Sequence, residues 1–170
     1  MDKKEALKQI KAGNFSLADA NEKLKADKEF VLEVVKQDGW NLRHVDDKLK
    51  ADKEVVLAAV KEDPHALQYV DKKLKGDKEV VLTAIKQNGS ALSYANDKLK
   101  ADKEVVLAAI KQLVWALEHA GKKLKADKKI VLTADCLSIA TRGRDDCDRF
   151  RIVSVLHFLC LDGNHLFVND

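Results

Sequence analysis

The chain has 170 residues, 46% of them hydrophobic and 35% charged, with one proline, seven glycines and a formal net charge of +3. That size suits one domain with a real core, and the composition excludes a disordered or fibrous chain. The longest wholly apolar runs, Val55 to Val60 and Val105 to Ile110, are six residues, too short for a membrane-spanning helix.

Met1-Asp2-Lys3-Lys4-Glu5 lacks the apolar core of a secretory signal. Cys136, Cys147 and Cys160 are odd in number and confined to the last quarter. A disulfide framework is therefore not expected, and an intracellular, reducing compartment is.

Met1 through Leu7 is a faint first copy of a segment that returns at Leu24–Leu32, Leu49–Leu57, Leu74–Leu82, Leu99–Leu107 and Leu124–Leu132, in one 25-residue register. A fixed short period is the signature of a solenoid. Asp52 opens the unit as an N-cap, and its counterparts are Asp2, Asp27, Asp77, Asp102 and a partial sixth at Asp127. Glu54 in the first turn and Lys61 in the last carry the signs that a helix dipole favours. The apolar run between them predicts a helix of about twelve residues, packed on several sides. Gly39, Gly89 and Asp63-Pro64 mark its exit, where glycine suits a left-handed C′ residue. Leu113-Val114 in place of Asn-Gly is expected to weaken that exit in the fifth unit.

A shorter helix follows, from about His65 to Val70 in the third unit, and then a turn capped by Asp46, Asp71 or Asn96. Each unit is thus a long helix, a short helix and a turn, too small to bury its own apolar face. The expected fold is all-α: a right-handed α-solenoid of about five 25-residue units with a C-terminal capping segment. The array occupies residues 1–133 and a divergent tail residues 134–170.

Constant and varying columns separate. Leu17/42/67/92/117, Leu24/49/74/99/124 and Leu7/32/57/82/107/132 are constant and belong to the scaffold. The outer face of the short helix varies: Trp40, Arg43, His44, Asp47; His65, Gln68, Tyr69, Lys72; Ser90, Ser93, Tyr94, Asp97; Trp115, Glu118, His119, Lys122. The varying positions are rich in Trp, Tyr and His, and aromatics dominate binding hot spots. The candidate partner-binding residues are accordingly Trp40, Arg43, His44, His65, Gln68, Tyr69, Tyr94, Trp115, Glu118 and His119. The alternative is that these rings only pack between neighbouring short helices.

The unit Leu-Lys-Ala-Asp-Lys-Glu-Val-Val-Leu-Ala-Ala-Val/Ile-Lys-Gln-Asn/Asp-Gly, followed by Ala-Leu-x-Tyr-Ala/Val, resembles the repeats of domain-of-unknown-function family 4116 across about residues 2–133. It is similar, less closely, to leucine-rich variant repeats, which also alternate a regular helix with a short tight one. The resemblance implies a short-period helical array and brings no activity, cofactor or catalytic residue. The pattern departs from it at Asp135, which stands where Ile10, Val35, Val60, Ile85 and Ile110 recur.

Residues 1–134 hold 26 Lys and one Arg against 22 acids, whereas residues 135–170 hold four Arg and no Lys against six Asp. The tail reads as a cap for the open end of the array, or as a frameshifted or mis-joined reading of the gene. Cys136, Cys147, His157, Cys160 and His165 lack zinc-ligand spacing. No nucleophile elbow or phosphate loop occurs, so no enzyme, metal, cofactor or small-molecule substrate is expected. Three lysine ladders (23/48/73/98/123, 25/50/75/100/125 and 28/53/78/103/128) could track an anionic polymer. The interleaved acids and the scarcity of Arg argue against nucleic acid. A protein-binding scaffold is the leading expectation, a structural subunit of a larger assembly the alternative, and electrostatic nucleic-acid binding the third.

Overall fold

The computed structural model describes residues 2–13 and 15–140, and among these all regular structure is helical. Long helices open the successive units: α1 Lys3–Lys11, α2 Lys28–Val35, α3 Lys53–Glu62, α4 Lys78–Gln87, α5 Lys103–Gln112 and α6 Lys128–Ala140. A ten-residue helix is marginal alone in water, so the stacking of α1 to α6 is what holds each of them. Val55, Val56, Ala59 and Val60 of α3, and their equivalents in α4 and α5, are fully buried in one continuous core. Burying each valine or leucine contributes about 1.5–3 kcal/mol before ordering entropy is deducted.

The short helix of each unit is a 3-10 helix: Gly39–His44, Pro64–Tyr69, Gly89–Tyr94 and Val114–His119, with a briefer Leu17–Asp19 in the first unit. Its inner side buries the leucine column Leu17, Leu42, Leu67, Leu92 and Leu117. It ends in an extended residue such as Val45 or Val70, and a single helical turn follows, as in Asp47–Lys50 and Asp97–Lys100. That turn is capped as the sequence predicts: Asp46 accepts from Lys48 N at 2.9 Å, Asp71 from Lys73 N at 2.8 Å and Asn96 from Leu99 N at 2.9 Å.

The exit of the long helix differs from expectation. Asp63, Asn88 and Leu113 are all extended, with φ of −136°, −148° and −149°, so no left-handed residue is needed. Gly39 and Gly89 are required for closeness instead. A Cβ on Gly39 would collide with the Ala59 carbonyl oxygen of the next unit, and one on Gly89 with that of Ala109. Nor does the fifth unit lose its exit. Leu113 supplies no side-chain cap, but its carbonyl still accepts from Ala116 N at 2.9 Å.

Units are locked in register along one seam. Asp52 Oδ1 accepts from Glu54 N and Val55 N of its own helix, while Oδ2 accepts from Lys28 of the preceding unit at 2.7 Å. The arrangement recurs as Lys3–Asp27, Lys53–Asp77, Lys78–Asp102 and Lys103–Asp127. Beside it run backbone bonds at a constant 21-residue offset: Asp46 N to Lys25 O, Asp71 N to Lys50 O, Asn96 N to Lys75 O and Gly121 N to Lys100 O. The lysine of the preceding unit is the chief cause holding Asp27, Asp52, Asp77, Asp102 and Asp127 below the ordinary carboxylate pKa. The same contacts raise Lys28 and Lys53, chiefly through Asp52 and Asp77.

The backbone of α6 runs straight through Asp135 to Ala140. The expected cap from residue 141 onward lies outside the described residues, as do Cys147, His157, Cys160 and His165.

Candidate functional site

A 3-10 helix has three residues per turn, so side chains at i and i+3 eclipse one another. Trp40 and Arg43 therefore stack on one edge of Gly39–His44, and the Arg43 guanidinium lies 5.5 Å from the Trp40 ring centroid. That is cation–π distance. Arg43 Nε also donates to His44 Nε2 at 2.6 Å. A neutral imidazole suits this bond, and the His44 pKa is lowered first by burial and then by Arg43, Lys25 and Lys50. Asp47 does not continue the face, because Val45 is extended and Asp47 opens the separate turn that follows. There its carboxylate pairs with Lys50 at 2.9 Å.

Rings from successive units meet in a regular way. Trp40 packs edge-on against Tyr69, with centroids 5.4 Å apart and planes at 87°. His65 stands in the same relation to Tyr94 at 6.1 Å, and the Tyr94 hydroxyl lies 3.5 Å from His65 Nδ1. In both pairs the second position of one short helix reaches the sixth position of the next. Both contacts are of the kind expected if rings pack between units. Tyr69 and Tyr94 are half-buried against the core, and His44, His65, Gln68 and Trp115 are half-buried as well. Trp40 remains 36% exposed despite its partner, and Arg43, Glu118 and His119 are exposed. The Gln68 backbone carbonyl accepts from Lys75 Nζ at 2.6 Å, and burial lowers the Lys75 pKa.

The candidate residues therefore divide. Trp40, Arg43 and His44 form one bonded cluster with Tyr69 beside it, and His65 and Tyr94 form a second. Trp115, Glu118 and His119 lie on the Val114–His119 helix. Among the described residues no group of three or more His, Cys, Asp or Glu gathers as a metal set, and no helix is long and apolar enough to cross a membrane.

The ladders resolve differently. Lys28, Lys53, Lys78 and Lys103 belong to the register seam. Of the second ladder, Lys25 and Lys50 pair within their own turns with Glu22 and Asp47, and Lys75 bonds to Gln68. Lys23, Lys48, Lys73, Lys98 and Lys123 are exposed, with no ion pair among the described residues. The seam was open to sequence reasoning: in every unit a lysine precedes the next unit's capping aspartate by 24 residues, one short of the repeat.

The profile described as Domain of unknown function (DUF4116) matches residues 4–50, 27–75, 52–100, 77–125 and 102–134. These overlapping matches advance by one unit, and together they span most of the chain. The chain belongs to this family. No curated protein and no solved structure matches it.

Proposed function

We propose that this DUF4116 repeat array is a non-enzymatic scaffold that binds other proteins through the varying edge of its 3-10 helices. The observation that carries the reading is the Trp40–Arg43–His44 cluster. A tryptophan 36% exposed and capped by a guanidinium is held in place by Tyr69 and by a buried frame. Trp and Arg are the side chains most enriched at binding hot spots, and a pre-ordered pair loses little entropy on association. The corresponding positions in other units carry His65 and Gln68, Ser90 and Ser93, and Trp115 and Glu118, so one frame presents several chemistries.

The test is quantitative affinity capture with the full chain, comparing wild type with a Trp40→Ala/Arg43→Ala variant of unchanged circular dichroism. The reading expects defined proteins to be lost by the variant. Identical capture by both proteins would remove this edge as the binding surface. The alternative of a space-filling subunit predicts co-fractionation with a large assembly that survives the double substitution. The exposed ladder Lys23/48/73/98/123 favours electrostatic nucleic-acid binding as a third reading. A flat response of affinity to salt would exclude it.

A further inference from the structure

The leucine column of the long helices is constant, yet as far as Leu107 it only packs against the core and is not buried in it. Leu32, Leu57, Leu82 and Leu107 are only half-buried, and Leu132 is 61% exposed. Glu54, Leu57 and Lys61 stand at i, i+3 and i+7 and share one face of α3. Glu29/Leu32/Lys36, Glu79/Leu82/Lys86 and Glu104/Leu107/Lys111 repeat that face on α2, α4 and α5. Between α2 and α3 it opens into a groove of about 400 Å³, lined by Leu32 and Lys36 on one side and Glu54, Leu57, Ala58, Lys61 and Glu62 on the other.

The two charged rows flanking this stripe are not equivalent. Glu29, Glu54, Glu79 and Glu104 are each paired with a lysine of the preceding unit, at 3.0, 2.9, 2.7 and 2.6 Å. Lys36, Lys61, Lys86 and Lys111 are exposed and have no ion pair among the described residues. The last turns of α4 and α5 offer Gln87 and Gln112 beside them in place of an acid. The face is therefore an apolar stripe with a neutralised acidic border on one side and a row of unpaired lysines on the other, relieved by nearby acids at Glu33 in α2 and Glu62 in α3.

We propose that this face docks an amphipathic α-helix of a partner protein, laid across α2 to α5, with leucine-like side chains at heptad spacing and acidic residues along one flank. Packed helices lie about 8–10 Å apart, and seven residues of a straight helix rise about 10.5 Å. The heptad rise thus comes close to the upper end of that helix spacing, so side chains repeated every seven residues fall near Leu32, Leu57, Leu82 and Leu107 in turn. The acidic flank then faces Lys36, Lys61, Lys86 and Lys111. A nucleic acid would match the lysines and leave the leucines uncovered. A flat anionic membrane would match the lysines but has no side chains at heptad spacing to fill the places beside the leucines. This surface is separate from the Trp40–Arg43 edge, and its failure leaves that reading intact.

The experiment is fluorescence anisotropy of the full chain with a labelled four-heptad peptide that carries leucine at every seventh position and glutamate along one flank. A scrambled peptide of equal composition is the control. The proposal expects the patterned peptide to bind at least tenfold more tightly than the scramble. A Lys61→Glu/Lys86→Glu/Lys111→Glu variant, whose sites are solvent-exposed, should lose about tenfold, and a lysine-flanked peptide should restore binding to it. Equal binding of patterned and scrambled peptides, or indifference to the charge reversal, would overturn the proposal. So would charge-dependent binding to phosphatidylserine–phosphatidylcholine vesicles without peptide binding. An Asp145→Asn/Asp146→Asn/Asp148→Asn variant should bind the peptide as wild type does. A tenfold gain there would mean that the chain's own acidic segment occupies the face, and would also overturn it.

Discussion

Two seams join each unit to the next, and they are built on opposite plans. At the N-terminal ends of the long helices the junctions repeat one plan, with Lys129 in place of the glutamate at the last. A lysine of one unit meets the capping aspartate and first-turn glutamate of the next, with a backbone bond alongside. Along the 3-10 helices each junction differs: Trp40 with Tyr69, His65 with Tyr94, and Ser90 and His119 at the equivalent places in the next pair. The constant seam consumes its charges internally and fixes register. The varying seam also holds units together, but it leaves part of its chemistry, Trp40 and Arg43 above all, facing water. A repeat protein can diversify recognition where a junction tolerates several ring pairs, and cannot where one carboxylate serves both a cap and a clamp.

The largest expected effect tests whether the varying seam is truly anchored. Leu92 is fully buried under the Gly89–Tyr94 helix. Leu92→Ala should cost about 2–5 kcal/mol in urea unfolding followed by circular dichroism. A cost below about 1 kcal/mol would mean that the 3-10 layer is only loosely attached.

Gly89→Ala comes next, at about 1–3 kcal/mol, because its Cβ must displace the Ala109 carbonyl. Val114→Ala, at the same register one unit later, should cost less, since that junction already accommodates a side chain. Equal costs would show that close approach is not what the glycine serves.

Asp77→Ala removes a cap and should cost about 1 kcal/mol. Asp77→Asn can still cap but weakens the clamp to Lys53, and should cost less. The pH dependence has a definite sign. The seam aspartates are depressed in the fold, so their stabilisation is present above the unfolded carboxylate pKa of about 4 and is lost as pH falls through the folded values. Lys28 and Lys53 are raised, so their contribution holds below the unfolded lysine pKa of about 10.4 and fades as pH rises through the raised values. The melting temperature of wild type should fall in acid more steeply than that of Asp77→Asn. Parallel curves would detach the seam from acid stability.

The smallest change is expected on the exposed edge. Arg43→Ala should alter stability by no more than about 0.5 kcal/mol. Trp40→Ala loses the edge contact to Tyr69, worth about 0.5–1.5 kcal/mol. A larger penalty for Arg43 would show that it is structural, and would blunt the contrast between the seams.

Much of this architecture was legible because the chain repeats itself. A 25-residue register of capping aspartates and apolar runs leaves few alternatives to stacked helices, and the buried columns led by Leu42 and Val56 lie where periodicity put them. The candidate site was legible only as a list of varying positions. Helical spacing suggested one α-helical face through residues 40, 43, 44 and 47. The 3-10 geometry instead stacks Trp40 on Arg43, aims Trp40 at Tyr69 and detaches Asp47. The long-helix leucines read as constant scaffold, and the structure adds that Leu57 packs against the core while half-exposed between two charged rows.

By itself the sequence determined the class of fold, the unit length and the cap that starts each long helix. These follow from local chemistry, repeated, and local chemistry is what a sequence states directly. Only the tertiary structure decided that Gly39 and Gly89 serve close approach and not a left-handed turn. Tertiary packing also settled which lysines are clamped and which are spare, and which ring of one unit meets which ring of the next. Those outcomes depend on the offset between neighbouring units. That offset is set by contacts across the interface, the lysine–aspartate seam and the packed valines among them, and no single unit contains it.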